Sequence, residues 1–278
     1  MVGRCSRKRA KWGATLPELL PILANGMDPA WRSVTLEQLM SHRAGLADID
    51  APWLIAARTD KRSMPDQRLA IARSTLARPP AKPVGQFFYA NLGYIIIGAA
   101  IEQKLKTDWE AGITAEVFDP LGMREAGFGP PQGEAPQGHR LNPLSGQLIA
   151  VGDGPAADNP MALGPAGTVH LPLDDWAAFI RIFLDPKQTF LTSDSLQRLI
   201  TPAPGASYAM GWELSEDPKL GRLLIHKGSN TMWFAQAAIT YDRQFAALAT
   251  MNCATEAGQS ALGAVTNALL LGQTAPAR

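Results

Sequence analysis

The 278-residue sequence predicts an α+β protein: a mainly helical first two-thirds, then an antiparallel sheet, then a helix packed on that sheet. Three observations predict it. Capping-box spacings and apolar stripes of helical period fill the chain up to Pro204, separated by loops rich in Pro and Gly. After Pro204 the pattern changes to short apolar runs bounded by turn residues. A last apolar run of helical character, GQSALGAVTNALLLG, closes the chain.

Taken in order, VTLEQLMSHRAGL opens with Thr35 three residues before Gln38, the spacing that satisfies free N–H groups at a helix start. FFYANLGYIIIGAAIEQ places Tyr89 and Asn91 at the mouth of an apolar helix. Thr107 and Glu110 repeat the capping spacing before WEAGITAEVF, and Pro120 and Gly122 stop that helix. Residues 124–170 are rich in Gly, Pro, Asn and Gln and read as loops and turns. LPLDDWAAFIRIFL puts Trp176, Phe179, Ile180 and Phe183 on one helical face, with Asp174 as its cap. YAMGWEL, RLLIHKGS, WFAQAAITY and QFAALATMN then read as strands, with Tyr241-Asp242-Arg243-Gln244 as a hairpin connection.

Composition narrows the functional classes. Lys and Arg number 26 against 25 for Asp and Glu, so no global field points to nucleic acid or an anionic membrane. No apolar run is long enough to span a bilayer. Cys5 and Cys253 are too few for a disulfide framework and read as one surface and one buried thiol. Four scattered histidines show no metal-ligand spacing, so neither metal nor cofactor is expected. The basic stretch MVGRCSRKRAK (residues 1–11) has no apolar region after it, which excludes a signal peptide; it is expected to be a disordered or artefactual leader. One domain is expected over 12–278, with a helical part (12–204) and a sheet-plus-helix part (205–278).

Three stretches carry chemistry: Tyr89-Ala90-Asn91; His226-Lys227-Gly228 followed by Ser229 and Asn230; and the flanking HRAGL (42–46) and GPAGTVHLPLDDWAAF (164–179). Tyr-x-Asn alone is a weak signal, and by itself Tyr89 would be an ordinary buried phenol and Asn91 a helix N-cap. In this order and spacing the set resembles the serine β-lactamase-related hydrolases, which include class C β-lactamases, D-alanyl-D-alanine carboxypeptidases and related esterases. The resemblance covers nearly the whole chain from Trp12 onward. It implies a β-lactamase/penicillin-binding-protein-like fold and an acyl-enzyme reaction on a small ester, peptide or lactam.

The resemblance also implies roles. Tyr89 would be the general base, working with the lysine of a Ser-x-x-Lys motif; a phenol can do this only if cations lower its pKa from about 10. Asn91 would hydrogen-bond the substrate's carbonyl or amide. His226 stands where the family often has lysine, which favours ester or peptide over β-lactam substrates, and Lys227 and Gly228 complete the motif. Gly228 would leave room for substrate, and the Ser229 N–H would be one oxyanion-hole donor. His42 and His170 read as structural, His139 as a loop residue without a role, and Trp212, Trp233 and Phe234 as core and cleft wall.

The nucleophile is where the pattern departs from the family. Judged from KWGATLPELLPIL, Ser-x-x-Lys is expected roughly ten residues before Met1, and no serine of this sequence has lysine three residues on. Ser6 is followed at that spacing by Arg9; Cys5 has Lys8, but GRCSRKRAK has no apolar face to bury, so neither is expected to be catalytic. The expectation is therefore a family member that lacks its N-terminal strands and is itself inactive, with an open sheet edge and marginal stability. The alternatives are a non-catalytic ligand-binding remnant of the same fold and, far behind, nucleic-acid binding through residues 4–11.

Overall fold

The computed structural model describes residues 10–152 and 154–274. The expected leader, with Cys5 and Ser6, lies outside the described residues except for Ala10 and Lys11. In chain order the helices of the first part are α1 (Leu16–Leu19), α2 (Leu36–Met40), α3 (Ala51–Thr59), α4 (Met64–Leu76), α5 (Asn91–Leu105), α6 (Trp109–Ile113) and α7 (Asp119–Leu121). A turn-rich region follows, holding two small antiparallel pairs: β1 (Gly127–Phe128) with β4 (Val169–His170), and β2 (His139–Leu141) with β3 (Leu148–Ala150). Its one-turn helix α8 (Gly164–Gly167) leads to α9 (Leu173–Leu184) and α10 (Ser193–Ile200).

The last third is a four-stranded antiparallel sheet of consecutive neighbours: β5 (Glu213–Asp217), β6 (Gly221–Ser229), β7 (Phe234–Thr240) and β8 (Ala246–Met251). Helix α11 (Glu256–Thr274) ends the described chain. Strand alternation divides the sheet between two cores. Leu224, Ala237 and Ile239 face α9 and α10, meeting Ile180, Phe183, Leu196 and Ile200. Leu223, Ala238 and Ala247 face α11 and meet Leu270. Covered on both faces, β7 is buried at almost every position, so its sequence is a continuous apolar run rather than an alternation.

The second structural centre is α5. Ile96, Ala99 and Ala100 sit in the core built with Leu16, Leu20, Trp31, Leu39, Ala72 and Leu76. Burying each large aliphatic side chain of this set contributes about 1.5–3 kcal/mol. Gly98 lies against Pro165 with no room for a side chain, which brings α8 onto α5.

Several expectations meet their residues here. Thr35 and Gln38 form a reciprocal capping box, residues 241–244 make the β7–β8 connection with Arg243 at φ 59°, and α9 turns its predicted face into the core. Two caps differ. Asp108, not Thr107, caps α6 by accepting the Ala111 N–H, because Glu110 is drawn into an ion pair with Arg68. Asp174 does not cap α9, whose N-cap is Pro172; Asp175 instead accepts the Glu125 N–H. Among the described residues β8 is the outer strand, so its far edge has no partner strand. Also among these residues, no helix is long and apolar enough to cross a membrane, and no His/Cys/Asp/Glu group could hold a metal ion.

Candidate active site

The segment before α5 is laid out by HRAGL. The His42 carbonyl accepts the Phe88 N–H at 2.8 Å, the Arg43 carbonyl accepts the Gly85 N–H, and the Gly45 carbonyl accepts the Lys82 N–H. Gly45 has φ +84°, and a Cβ there would sit 2.6 Å from the Lys82 carbonyl oxygen, so only glycine allows this approach. This ladder delivers Tyr89 and Asn91 to the helix mouth.

Asn91 is the first residue of α5 rather than its cap. Asp48, from 43 residues upstream, does the capping: one carboxylate oxygen accepts the Asn91 backbone N–H at 2.8 Å. Both carboxylate oxygens accept from the Asn91 side-chain amide, at 3.1 and 3.2 Å. An anion at a helix N-terminus is favourable, and it leaves the Asn91 carbonyl oxygen as the group the side chain offers outward.

Tyr89 is 54% exposed. Burial of the phenol, and then the nearby Asp48 carboxylate, push its pKa upward from the ordinary tyrosine value. Its ring centroid lies 4.3 Å from that of His42, which is only 4% exposed. His42 also meets Tyr208 at 5.1 Å and Tyr94 at 5.5 Å. Burial pushes the Tyr208 phenol up to about 12, and Tyr94 rises as well for the same reason.

On the sheet side, His226 Nδ1 lies 2.5 Å from the Gly211 carbonyl oxygen and therefore carries the proton that it donates there. Close packing lowers its pKa, against that hydrogen bond. Gly211 follows Tyr208 by three residues in a turn closed by the Ala209 N–H on the Trp212 carbonyl at 2.7 Å. Ring contacts thus run from Tyr89 through His42 to Tyr208, and the same short turn carries the Gly211 carbonyl that holds His226. This turn joins two stretches 137 positions apart in the sequence.

The register of β6 sorts the remaining predicted residues. His226 pairs with Ala237 and Gly228 with Ala235, on the face toward the helical part. Lys227 pairs with Gln236, whose amide donates to Thr266 of α11, so the Lys227 side chain projects from the opposite face. The Lys227 side chain thus points away from His226 and Gly228, because neighbours in a strand point to opposite sides. Gly228 has open space where a side chain would be. The Ser229 hydroxyl donates to the Trp233 carbonyl and accepts the Thr231 N–H, which commits it to the turn. Strand β5 covers β6 only from Gly221 to Ile225, so no strand covers that edge from His226 to Ser229 among the described residues.

The turn after Ser229 is latched from outside. Asp158, buried and raised in pKa by that burial, accepts the Asn230 amide at 2.7 Å. The Asn230 side-chain oxygen in turn accepts the Met232 and Trp233 N–H groups. Trp212 and Phe234 are core, and Trp233 lies against Gly138 with its indole N–H on the Pro136 carbonyl. His170 holds the Gly129 carbonyl, and His139, in β2 rather than a loop, lies 3.2 Å from the Asn252 carbonyl. Sequence reasoning missed Tyr208, Asp48 and Asp158 and set His42 aside. The aromatic opening of SYAMGW was the available signal for Tyr208; nothing local marked Asp48 or Asp158.

A family model described as Beta-lactamase matches residues 6–271. No curated protein matches the sequence. Among solved structures, the octameric penicillin-binding protein homologue from Pyrococcus abyssi aligns with TM-score 0.68 at 20% identity, covering 92% of this chain and 63% of its own. The D-stereospecific amidohydrolase from Streptomyces sp. aligns with TM-score 0.69 at 18% identity, over 87% of this chain and 75% of that one. The D-amino acid amidase from Ochrobactrum anthropi SV3 in complex with D-phenylalanine gives 0.62 at 18%, over 86% and 69%. The chain therefore spans under two thirds of the Pyrococcus protein's length. At these identities the likeness shows the fold, which is β-lactamase/penicillin-binding-protein-like.

Proposed function

Because the chain belongs to the beta-lactamase family, we propose that its cleft receives the acyl substrates of a serine hydrolase: an ester, a peptide or other amide, or a β-lactam. The observation that carries this reading is that the turn 208–211 meets both motifs, Tyr208 packing with Tyr89 on His42 and the Gly211 carbonyl holding His226, beside the uncovered stretch of β6. Substrate would lie along His226–Ser229, where Gly228 leaves the strand face open and the Ser229 N–H would meet a developing oxyanion. The Asn91 carbonyl oxygen, left free by Asp48, suits a substrate amide N–H. Lys227 would contribute through its backbone alone. An amide acceptor, and a histidine at the position where the family often has lysine, favour peptide, amide or ester over lactam. Two structural neighbours carry amidohydrolase and amidase names, which agrees with that preference.

Tyr89 would work as a base only beside a cation, and here burial and Asp48 push its pKa the other way. The sequence holds no serine with lysine three residues on. We infer that this chain binds the carbonyl compound and does not itself form the acyl-enzyme. Incubation with a fluorophosphonate or a labelled penicillin, followed by intact mass measurement, should show no adduct. Titration with an N-acetyl D-amino acid amide should show reversible binding, weakened about tenfold by Asn91→Ala, as expected for one lost hydrogen bond. A covalent adduct would overturn the non-acylating part of the reading. A folded chain that binds no ester, amide or lactam at millimolar concentration would overturn the rest.

A further inference from the structure

His42 carries a role that its place in a flanking motif did not suggest. Its ring is buried, and its Nδ1 lies 3.2 Å from the Ala90 backbone nitrogen. An amide N–H can only donate, so Nδ1 is unprotonated and the neutral ring carries its proton on Nε2. That Nε2 is buried and has no hydrogen-bond partner among the described residues. The same residue's carbonyl takes the Phe88 N–H. His42 therefore grips the chain on both sides of Tyr89 and supports the tyrosine ring by contact. Its backbone is left-handed, φ 56°, a conformation few residues other than Gly, Asn and Asp adopt at low cost.

We propose that His42 is a positioning residue: its neutral Nε2–H form holds the Tyr89-Ala90-Asn91 corner in place, and protonation of the ring releases that corner. The inference rests on the reading of Tyr89 and Asn91 as cleft residues. Its chemistry is one of donors and acceptors. A protonated imidazole is a donor at both nitrogens, so it cannot accept the Ala90 N–H, and the corner loses one of its two bonds to His42. The titratable groups facing the ring are Tyr89, Tyr94 and Tyr208, with Asp48 near enough to favour the cation; Arg43 is next in the chain and donates to the Gly85 carbonyl. Burial outweighs Asp48 and lowers the His42 pKa to about 4, so the corner is held at neutral pH and released in acid.

The test is nuclear magnetic resonance on the full chain, with labelled histidine nitrogens, tyrosine ring carbons and asparagine side-chain amides. At neutral pH, His42 should show a protonated Nε2 and a bare Nδ1. On acidification the Tyr89 and Asn91 signals should move together with His42, at a midpoint near pH 4. His42→Asn keeps an acceptor close to the place of Nδ1 and tolerates the left-handed backbone. It should leave the neutral-pH signals of Tyr89 and Asn91 near their original positions and reduce the acid response of Tyr89 to what the Asp48 carboxylate contributes. His42→Phe keeps the ring but has no acceptor, and should displace both signals at every pH. A protonated Nδ1, an acid titration of Tyr89 as large in His42→Asn as in the native chain, or an unaltered spectrum in His42→Phe would each overturn the proposal. If His42→Phe does not fold, the tautomer and the His42→Asn comparison decide. Neither acylation nor ligand binding enters these readouts, so failure of the proposed function would show separately, as absent binding with an intact His42 titration.

Discussion

The two ends of α5 bury polar groups in opposite ways. Towards its C-terminal end, Arg68 from α4 is fully buried between Glu102 and Glu110, and it also donates to the Met161 and Ala162 carbonyls. The Glu102 carboxylate additionally accepts the Trp109 N–H. At the N-terminal end, His42 is buried among tyrosine rings with, among the described residues, a single side-chain hydrogen bond and no ion pair. A permanent charge can be buried only where opposite charge and carbonyl oxygens surround it. A group that can shed its charge needs no such company, and stays neutral instead. The first arrangement ties α4, α5, α6 and the turn before α8 together; the second leaves a corner whose state depends on one proton.

The largest effect should come from breaking the charged end. Arg68→Met leaves Glu102 and Glu110 facing each other without a cation, and should cost about 3–5 kcal/mol in denaturant unfolding. A loss under about 1 kcal/mol would mean that the cluster is not compensated in the way described.

The His42 end should respond to pH instead. Its pKa is lowered from 6.5 to about 4 in the folded state, so between those values the unfolded chain binds a proton that the folded chain refuses. Stability therefore falls as pH drops through that window, by about 3 kcal/mol in all, and levels off below it. Unfolding free energies measured across pH 4–7 should show this slope, reduced in His42→Asn by that amount. Equal slopes in the two proteins would remove His42 from the account.

A smaller change sharpens the contrast at the helix mouth. Asp48→Ala removes the cap of Asn91 and should cost about 1 kcal/mol. It should also lower the Tyr89 pKa, since Asp48 is one of the two influences holding it up; ultraviolet titration of the phenols would show this. The smallest effect is expected for Tyr89→Phe, within about 0.5 kcal/mol, because a half-exposed ring keeps its packing without the hydroxyl. A large loss there would make Tyr89 a structural phenol after all.

Much of the fold was legible in the residues. The switch at Pro204 from helical to strand character, the Thr35–Gln38 box, the apolar face of α9 and the hairpin at 241–244 depend on neighbours a few positions away, where local propensity decides. The Tyr89-Ala90-Asn91 and His226-Lys227-Gly228 motifs were legible as well, since each is a short run of chemically distinctive types. Other features were settled only by tertiary structure. Thr107 and Asp108 are both good caps, and the choice fell to Asp108 because Glu110 was claimed by Arg68 from across the core. Lys227 belongs to the motif as a string, yet the parity of β6 against β7 sends its side chain to the α11 face. His42 and Tyr89 are 47 residues apart, and His42 and Tyr208 are 166 apart. No local pattern encodes such meetings: they follow from long-range packing of α5 against the HRAGL segment and of Tyr208 beneath both, and that packing determines which nitrogen of His42 carries its proton.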